Sequence, residues 1–153
     1  MTALNEARML HKVIGADDVC GPSERHWISK AGGLTQFGAF IETLPPGSRS
    51  ALKHWHAAED EMVFVLEGEV TLIEDDAEIA LVSGMAATFP AGAPVGHLME
   101  NRSAAPVRYL VVGTSAAADR VTYPDHGRVY HRDGEAGRWT DLAGRPATNP
   151  YTD

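Results

Sequence analysis

Four side chains of the types that bind metal ions lie in the central part of the chain. His54 and His56 are two residues apart, Glu61 follows, and His97 comes after a stretch rich in Gly and Pro at 84–94. Residues i and i+2 of a β-strand project from the same face, with Cα atoms roughly 6.6 Å apart. The two imidazoles can therefore reach one ion, and Glu61 can add a carboxylate oxygen. We predict a metal site formed by His54, His56 and Glu61, with His97 delivered from a different strand.

The segments around these residues read as β-structure. From about Trp27 onward, short runs rich in β-branched and aromatic residues alternate with Gly, Pro, Asp and Ser, which is typical of an all-β barrel or sandwich. A short helical turn is predicted only at Asn5 to His11. The predicted strands are Leu34 to Leu44, Glu61 to Glu67, Glu69 to Glu74, Glu78 to Val82, Met85 to Phe89, His97 to Asn101 and Val107 to Gly113.

The length of the chain predicts one compact domain. A chain of 153 residues is long enough to bury a core of its own. We place the barrel core at about 34–113, an N-terminal arm at 1–33 and a polar C-terminal tail at 114–153. The tail carries aromatic residues such as Tyr123 and Trp139, so it is predicted to pack either across the barrel or against a partner subunit, and the sequence leaves both open.

Charge and composition exclude some classes of partner. The formal net charge is −8 and the isoelectric point about 5.3, so neither nucleic acid nor an anionic membrane is an expected partner. The opening residues lack the apolar run of a secretory signal, and no stretch reaches the ~18 apolar residues of a membrane span, so a cytoplasmic location is expected. Cys20 is the sole cysteine, which rules out an intrachain disulfide, and we interpret it as a structural or incidental thiol.

The spacing of the potential ligands resembles the two motifs of the cupin superfamily. The first motif is matched by Gly47, His54, His56, Glu61 and Gly68, with one extra residue before His54. The second motif is matched by Gly84, Pro90, Gly92, His97 and Asn101, with a Gly92-to-His97 gap two residues longer than its commonest form. The resemblance implies a small double-stranded β-helix (jelly-roll) barrel with extra terminal segments, which commonly forms a homodimer.

The ligand set itself suggests the chemistry. Three imidazoles and a carboxylate leave one or two positions open on an ion that prefers five or six ligands, and they suit one divalent Fe, Mn, Ni, Co or Zn per chain. The barrel is expected to surround the ion with a mostly apolar pocket for a small organic substrate. The first hypothesis is a metal-dependent enzyme, either an oxygenase or a non-redox isomerase or lyase, with its catalytic residues unassigned. The second is a non-catalytic small-molecule-binding or sensory barrel.

Overall fold

The computed structural model describes residues 3–134 and 136–152, with the backbone alone for residue 136. Residues 1–2 and 153 of the predicted domain lie outside the described residues. It contains thirteen strands, one short helix and two single 3-10 turns, at Glu6–Arg8 and Pro124–His126. The elements are β1 (Leu10–Ile14), β2 (Ser23–Trp27), α1 (Ile28–Gly32), β3 (Phe37–Leu44), β4 (Trp55–His56), β5 (Glu61–Glu67), β6 (Glu69–Glu74), β7 (Ala77–Val82), β8 (Ala86–Phe89), β9 (His97–Glu100), β10 (Val107–Thr114), β11 (Ala118–Tyr123), β12 (Arg128–Asp133) and β13 (Ala136–Asp141).

Two sheets pack around the main core. The larger has the strand order β1-β2-β3-β10-β5-β8, and the smaller has the order β7-β6-β9. Alternation along β3, β5 and β10 sends every second side chain inward, where Leu44, Val65 and Tyr109 of the large sheet meet Val70 and Met99 of the small sheet in one buried cluster. This is the half-buried, period-two pattern that the sequence predicted.

The C-terminal residues form a third sheet, with the order β13-β12-β11-β4. Strand β4 belongs to the central part of the chain, so this sheet ties the tail to the predicted metal-binding segment. Val121 and Tyr123 of β11 pack with Leu52 and Cys20 in a second buried cluster. The tail thus packs on earlier segments of its own chain, and additional packing against a partner subunit stays a prediction.

The all-β class and the jelly-roll architecture predicted from the sequence are confirmed. The seven predicted strands are present with shifts of at most three residues, and the largest is at β3, which begins at Phe37 rather than Leu34. The reason is α1, which is followed by Gly33 at φ 68, a left-handed conformation that turns the chain before the strand can start. The predictions missed α1, β1, β2 and the strands of the tail. The predicted turn at Asn5 to His11 is only the 3-10 turn Glu6–Arg8, because the following residues enter β1.

None of the helices in the described part of the chain is long and apolar enough to cross a membrane.

Candidate metal centre

The backbone brings the predicted ligands together. His54 and His97 face each other as a β-bridge pair: His54 N donates to His97 O at 3.2 Å, and His97 N donates to His54 O at 2.9 Å. The ring centroid of His54 lies 5.0 Å from that of His97 and 5.2 Å from that of His56. Glu61 opens β5, and its Oε1 lies 3.7 Å from His97 Nε2. His54, Glu61 and His97 therefore line one cavity, whereas His56 lies beside His54 and lines a neighbouring cavity together with His97.

The turn before β9 is fixed to the same strand. Gly92 has φ +77, which favours glycine, and its N–H donates to His56 O at 2.9 Å. The longer Gly92-to-His97 connection thus stays anchored beside β4, and His97 still reaches the bridge position opposite His54.

Hydrogen bonds at Nδ1 set the orientation of two of the rings. His54 Nδ1 lies 2.8 Å from Leu52 O, and because a carbonyl oxygen only accepts, Nδ1 carries the proton. His56 Nδ1 lies 2.7 Å from Oδ2 of Asp119, whose Oδ1 accepts the N–H of Ala58 at 2.8 Å. In both rings Nε2 keeps its lone pair, and a carboxylate or carbonyl behind a metal-binding histidine is the usual arrangement.

His97 is a buried imidazole without a hydrogen bond to its ring among the described residues. It is 3% exposed, its ring stacks on Phe89 at a centroid distance of 3.6 Å, and neither ring nitrogen has a hydrogen-bond partner among the residues that the structure describes. A buried imidazole in this state is costly unless something occupies the space in front of it. The 3.7 Å between His97 Nε2 and Glu61 Oε1 is too long for a hydrogen bond, but it lies within the roughly 3–4 Å that separates two atoms bound to one ion. The residues present fit a divalent cation.

Electrostatics favour the same protonation state. Burial, followed by the nearby His97, lowers the pKa of His54 to about 4. Burial alone would raise the pKa of Glu61, but the neighbouring imidazoles outweigh it, and the pKa lies below its ordinary value. At neutral pH the site thus offers a neutral His54 and an ionised Glu61, the forms that bind metal.

A second group of potential ligands overlaps the first. One ligand atom from each of His56, Glu59 and Asp119 lies within 4.8 Å of the others. Their charges are already matched, because Glu59 pairs with Arg132 and also accepts the N–H of Ala116 at 2.8 Å, while Asp119 holds His56. The charges of this group are therefore met by protein partners, whereas neither ring nitrogen of His97 has one among the described residues.

The cavity in front of the ligands is more polar than the sequence predicted. It measures about 170 Å³ and is lined by His54, Glu61 and His97, together with residues such as Arg25 and Glu42. Seven of its twelve lining residues carry polar or charged side chains, whereas the prediction was a mostly apolar pocket. Such a cavity suits a ligand with several oxygen atoms.

One wall of this cavity is a buried hydrogen-bonded network. Glu42 is 1% exposed, and it accepts from Arg25 Nε at 2.6 Å and from the hydroxyl of Tyr109 at 2.8 Å. Burial raises the pKa of Glu42 although Arg25 and Tyr109 act against it. The same burial, together with the charge of Glu42, raises the pKa of Tyr109 well above its ordinary value.

Sequence reasoning missed Asp119, Arg25, Glu42 and Tyr109, and two of them had a signal. Glu42 occupies an inward position of an otherwise apolar alternation, between Phe40 and Leu44, where a charge needs a partner. Asp119 begins the alternating run of β11 and shares the inward face of Val121 and Tyr123. In each case the available signal was a carboxylate at an inward position near one end of a strand.

The remaining singled-out residues have structural roles. Asn101 is fully buried, and its Nδ2 donates to Leu44 O at 2.8 Å and to Ala105 O at 2.9 Å, which closes the loop before β10. His11 and His26 stack on each other at 4.5 Å, and His131 lies 2.9 Å from the hydroxyl of Thr140.

Comparison with known proteins places these features in a family context. The family model described as the cupin domain matches residues 40–113. A crystal structure from Silicibacter pomeroyi, named a sugar phosphate isomerase from a cupin superfamily, is 32% identical over 99% of this chain and 100% of that chain, with a TM-score of 0.87. A second structure, named a candidate sugar phosphate isomerase from Acidithiobacillus ferrooxidans, is 24% identical over 97% of this chain and 96% of that chain, with a TM-score of 0.84. A predicted oxalate decarboxylase from Thermotoga maritima shares the fold at 19% identity over 75% of this chain and 100% of that chain, with a TM-score of 0.63. Among curated proteins no match was found.

Proposed function

Because the chain belongs to the cupin superfamily, we propose that it is a metal-dependent isomerase acting on a small phosphorylated sugar. The substrate class comes from the Silicibacter pomeroyi protein, which this chain matches over nearly its whole length. The polar cavity supports the same class, since a sugar offers hydroxyl and carbonyl oxygens to Arg25, Tyr109 and the ligand group.

The observation that carries the proposal is the convergence of His54, Glu61 and His97 on one polar cavity, with His56 beside His54 and with neither ring nitrogen of His97 hydrogen-bonded among the described residues. We assign these four residues as the ligands of one divalent transition metal per chain. When bound, the ion polarises a substrate carbonyl or hydroxyl oxygen as a Lewis acid. The set lacks thiolates and leaves coordination positions for the substrate.

Isomerisation of an aldose to a ketose also needs a group that moves a proton between adjacent carbons. A base removes the proton from the carbon next to the carbonyl, which gives an enediolate with its negative charge on the former carbonyl oxygen. The proton of the neighbouring hydroxyl then moves to that oxygen, and the base returns its own proton to the former carbonyl carbon while the hydroxyl oxygen becomes the new carbonyl. Glu42 is the carboxylate in the cavity outside the assigned ligands, and we assign it this role. Arg25 and Tyr109 hold both of its oxygens in place.

The test uses protein stripped of metal and then reloaded separately with Mn, Fe, Co, Ni or Zn. Each form is incubated with phosphorylated aldoses and ketoses of three to six carbons in heavy water, and NMR records conversion and deuterium uptake beside the carbonyl. We expect conversion with deuterium uptake in at least one loaded form and none in stripped protein.

Variants separate the roles of the residues. Glu42→Gln should lower kcat by roughly 10²–10⁴-fold at unchanged metal content, whereas the exposed Glu69→Gln should match the wild type. Tyr109→Phe removes one hydrogen bond to Glu42 and keeps the Arg25 pair, so it tests the network in a variant less prone to unfold. Equal conversion by stripped protein would refute the metal dependence. Substrate binding without deuterium uptake would favour the small-molecule-binding barrel, and consumption of dioxygen would favour an oxygenase.

A further inference from the structure

A second cavity lies beside the one in front of the metal ligands. It measures about 230 Å³, and the two cavities share Arg25, Ser50 and Ala51 as lining residues. The second cavity is also lined by Lys12 and Arg49, so three cationic side chains surround it. In a chain of net charge −8, three cations around one cavity call for an explanation.

Two of these cations are forced together by the sheet. Lys12 of β1 and Arg25 of β2 are direct cross-strand partners, so their side chains leave the same face of the sheet. Like charges directly opposite each other destabilise a strand pair. Arg25 is already paired with Glu42, which offsets part of this repulsion, whereas the exposed Lys12 has no hydrogen bond or ion pair within residues 3–134 and 136–152. An anion between the two side chains would give Lys12 a partner and offset the repulsion that remains.

The cations also keep free donors. Arg25 uses Nε for Glu42 and Nη2 for Ser50 O at 3.0 Å, which leaves Nη1. Arg49 uses Nε for Glu100 at 3.0 Å, which leaves both of its terminal nitrogens. Asp18 is the single carboxylate among the lining residues, and its Oδ1 is occupied by the N–H of Cys20 at 2.9 Å. The cavity therefore offers more donors than acceptors to a ligand.

From this geometry we propose that the second cavity binds the phosphate group of the substrate, with Lys12 and Arg25 as the principal donors and Arg49 as the third. The identity of the anion as a sugar phosphate rests on the proposed function, whereas the anion site rests on the residues themselves. Guanidinium and ammonium groups form their strongest hydrogen bonds with phosphate oxygens.

The size of the two cavities supports a ligand that extends over both. Volumes of 170 and 230 Å³ each fall short of the roughly 300 Å³ typical of a small-molecule pocket, but the two adjoining cavities exceed it. Arg25 stands at their common boundary and also holds Glu42, the assigned proton carrier. Phosphate bound at Arg25 would thus place the remainder of the substrate towards His54, Glu61 and His97.

The experiment measures the affinity of inorganic phosphate by phosphorus NMR, with wild-type protein in metal-free and metal-loaded forms. The variant is Lys12→Ala, and the matched control is Lys30→Ala, which removes an exposed lysine that lines neither cavity and lies over Trp27. We expect Lys12→Ala to weaken phosphate binding by roughly tenfold or more, Lys12→Arg to restore most of it, and Lys30→Ala to change nothing. Because Lys12→Ala relieves repulsion, its Tm without phosphate should equal or exceed that of the wild type, and phosphate should raise it less.

The outcomes distinguish this inference from the proposed function. Phosphate affinity should be the same in metal-free and metal-loaded protein, and His97→Ala should leave it unchanged. Equal affinity in Lys12→Ala and wild type, or binding that requires the metal, would overturn the phosphate site even if isomerase activity is present. Lys12-dependent phosphate binding without any metal-dependent isomerisation would uphold the site and refute the proposed reaction.

Discussion

Replacement of Asp119 by Asn should weaken metal binding although Asp119 is not an assigned ligand. In the wild type, Asp119 accepts two hydrogen bonds, from His56 Nδ1 at 2.7 Å and from Ala58 N at 2.8 Å. An amide has only one accepting atom. If its oxygen faces His56, its NH2 group meets the N–H of Ala58, and a buried donor is left unsatisfied at a cost of about 1–3 kcal/mol. If its NH2 group faces His56, the imidazole must accept at Nδ1 and carry its proton on Nε2, which removes the lone pair offered to the metal.

The first orientation replaces the carboxylate behind His56 by a weaker, neutral acceptor, and the second removes the acceptor; losses of roughly 10–100-fold in metal affinity are typical when such a contact is changed. This corresponds to about 1.4–2.7 kcal/mol. The assay is competition for the metal with a chromophoric chelator at pH 7.5, with Asp133→Asn as the control, because Asp133 is an exposed carboxylate on the neighbouring strand β12. A metal dissociation constant for Asp119→Asn within twofold of the wild type, or an equal loss in the control, would refute the inference that Asp119 orients His56.

Four further predictions follow from other parts of the structure. Burial raises the pKa of Cys20 from 9.0 to about 11. At pH 8 its thiol should therefore react with a disulfide reagent about 100-fold more slowly than in unfolded protein, and the reaction rate should rise up to about pH 11. Equal rates in the folded and unfolded states at pH 8 would contradict this. Gly68→Ala should lower the free energy of unfolding in urea by about 2 kcal/mol or more, because φ is +86 and a Cβ would lie 3.0 Å from Pro106 O. The control Gly144→Ala, at φ +83 with open space around it, should cost about 1 kcal/mol. A smaller loss at Gly68 than at Gly144 would contradict the packing argument. Phe64 projects from the outer face of the large sheet. If this face forms the homodimer that the resemblance to cupins implies, Phe64→Asp should halve the molecular mass measured by light scattering. A wild type that is already monomeric would contradict the dimer. Metal affinity should fall as pH drops to about 4 and below, because His54 then gains a proton and must be neutral to bind, and unchanged metal content well below pH 4 would oppose it.

The barrel strands could be predicted because their alternation of apolar and polar residues is strong. Strands β5 and β6 have the bounds that the sequence indicated, since each ends at a turn marked by Gly or Asp. Strands β2 and β12 were missed because they contain charged residues on both faces, as in Arg128–Asp133, and period-two reasoning requires one apolar face. Strand β1 was missed because Lys12 interrupts the face that carries Leu10 and Ile14. The partners of these charges are visible only in the folded structure, where Arg25 forms an ion pair with Glu42 and Arg132 forms one with Glu59.

The candidate site was only partly accessible from the sequence for a similar reason. Motif spacing identifies His54, His56, Glu61 and His97, but it contains no information on which nitrogen of each ring is free. That information comes from contacts over long sequence separations, such as the one between His56 and Asp119, 63 residues apart. The network of Arg25 with Glu42 likewise joins the N-terminal arm to the barrel core, and no local pattern encodes that pairing.

The most direct test of the metal assignment is elemental analysis of purified protein after reconstitution, with His97→Ala and His131→Ala measured in parallel. Both variants lose one imidazole, but His131 lies 2.9 Å from the Thr140 hydroxyl and outside the assigned ligand set. We expect about one divalent transition metal per chain in the wild type and in His131→Ala, and at least a tenfold loss of affinity in His97→Ala. Absence of metal from the reconstituted wild type, or equal binding in all three proteins, would contradict a metal centre formed by His54, His56, Glu61 and His97.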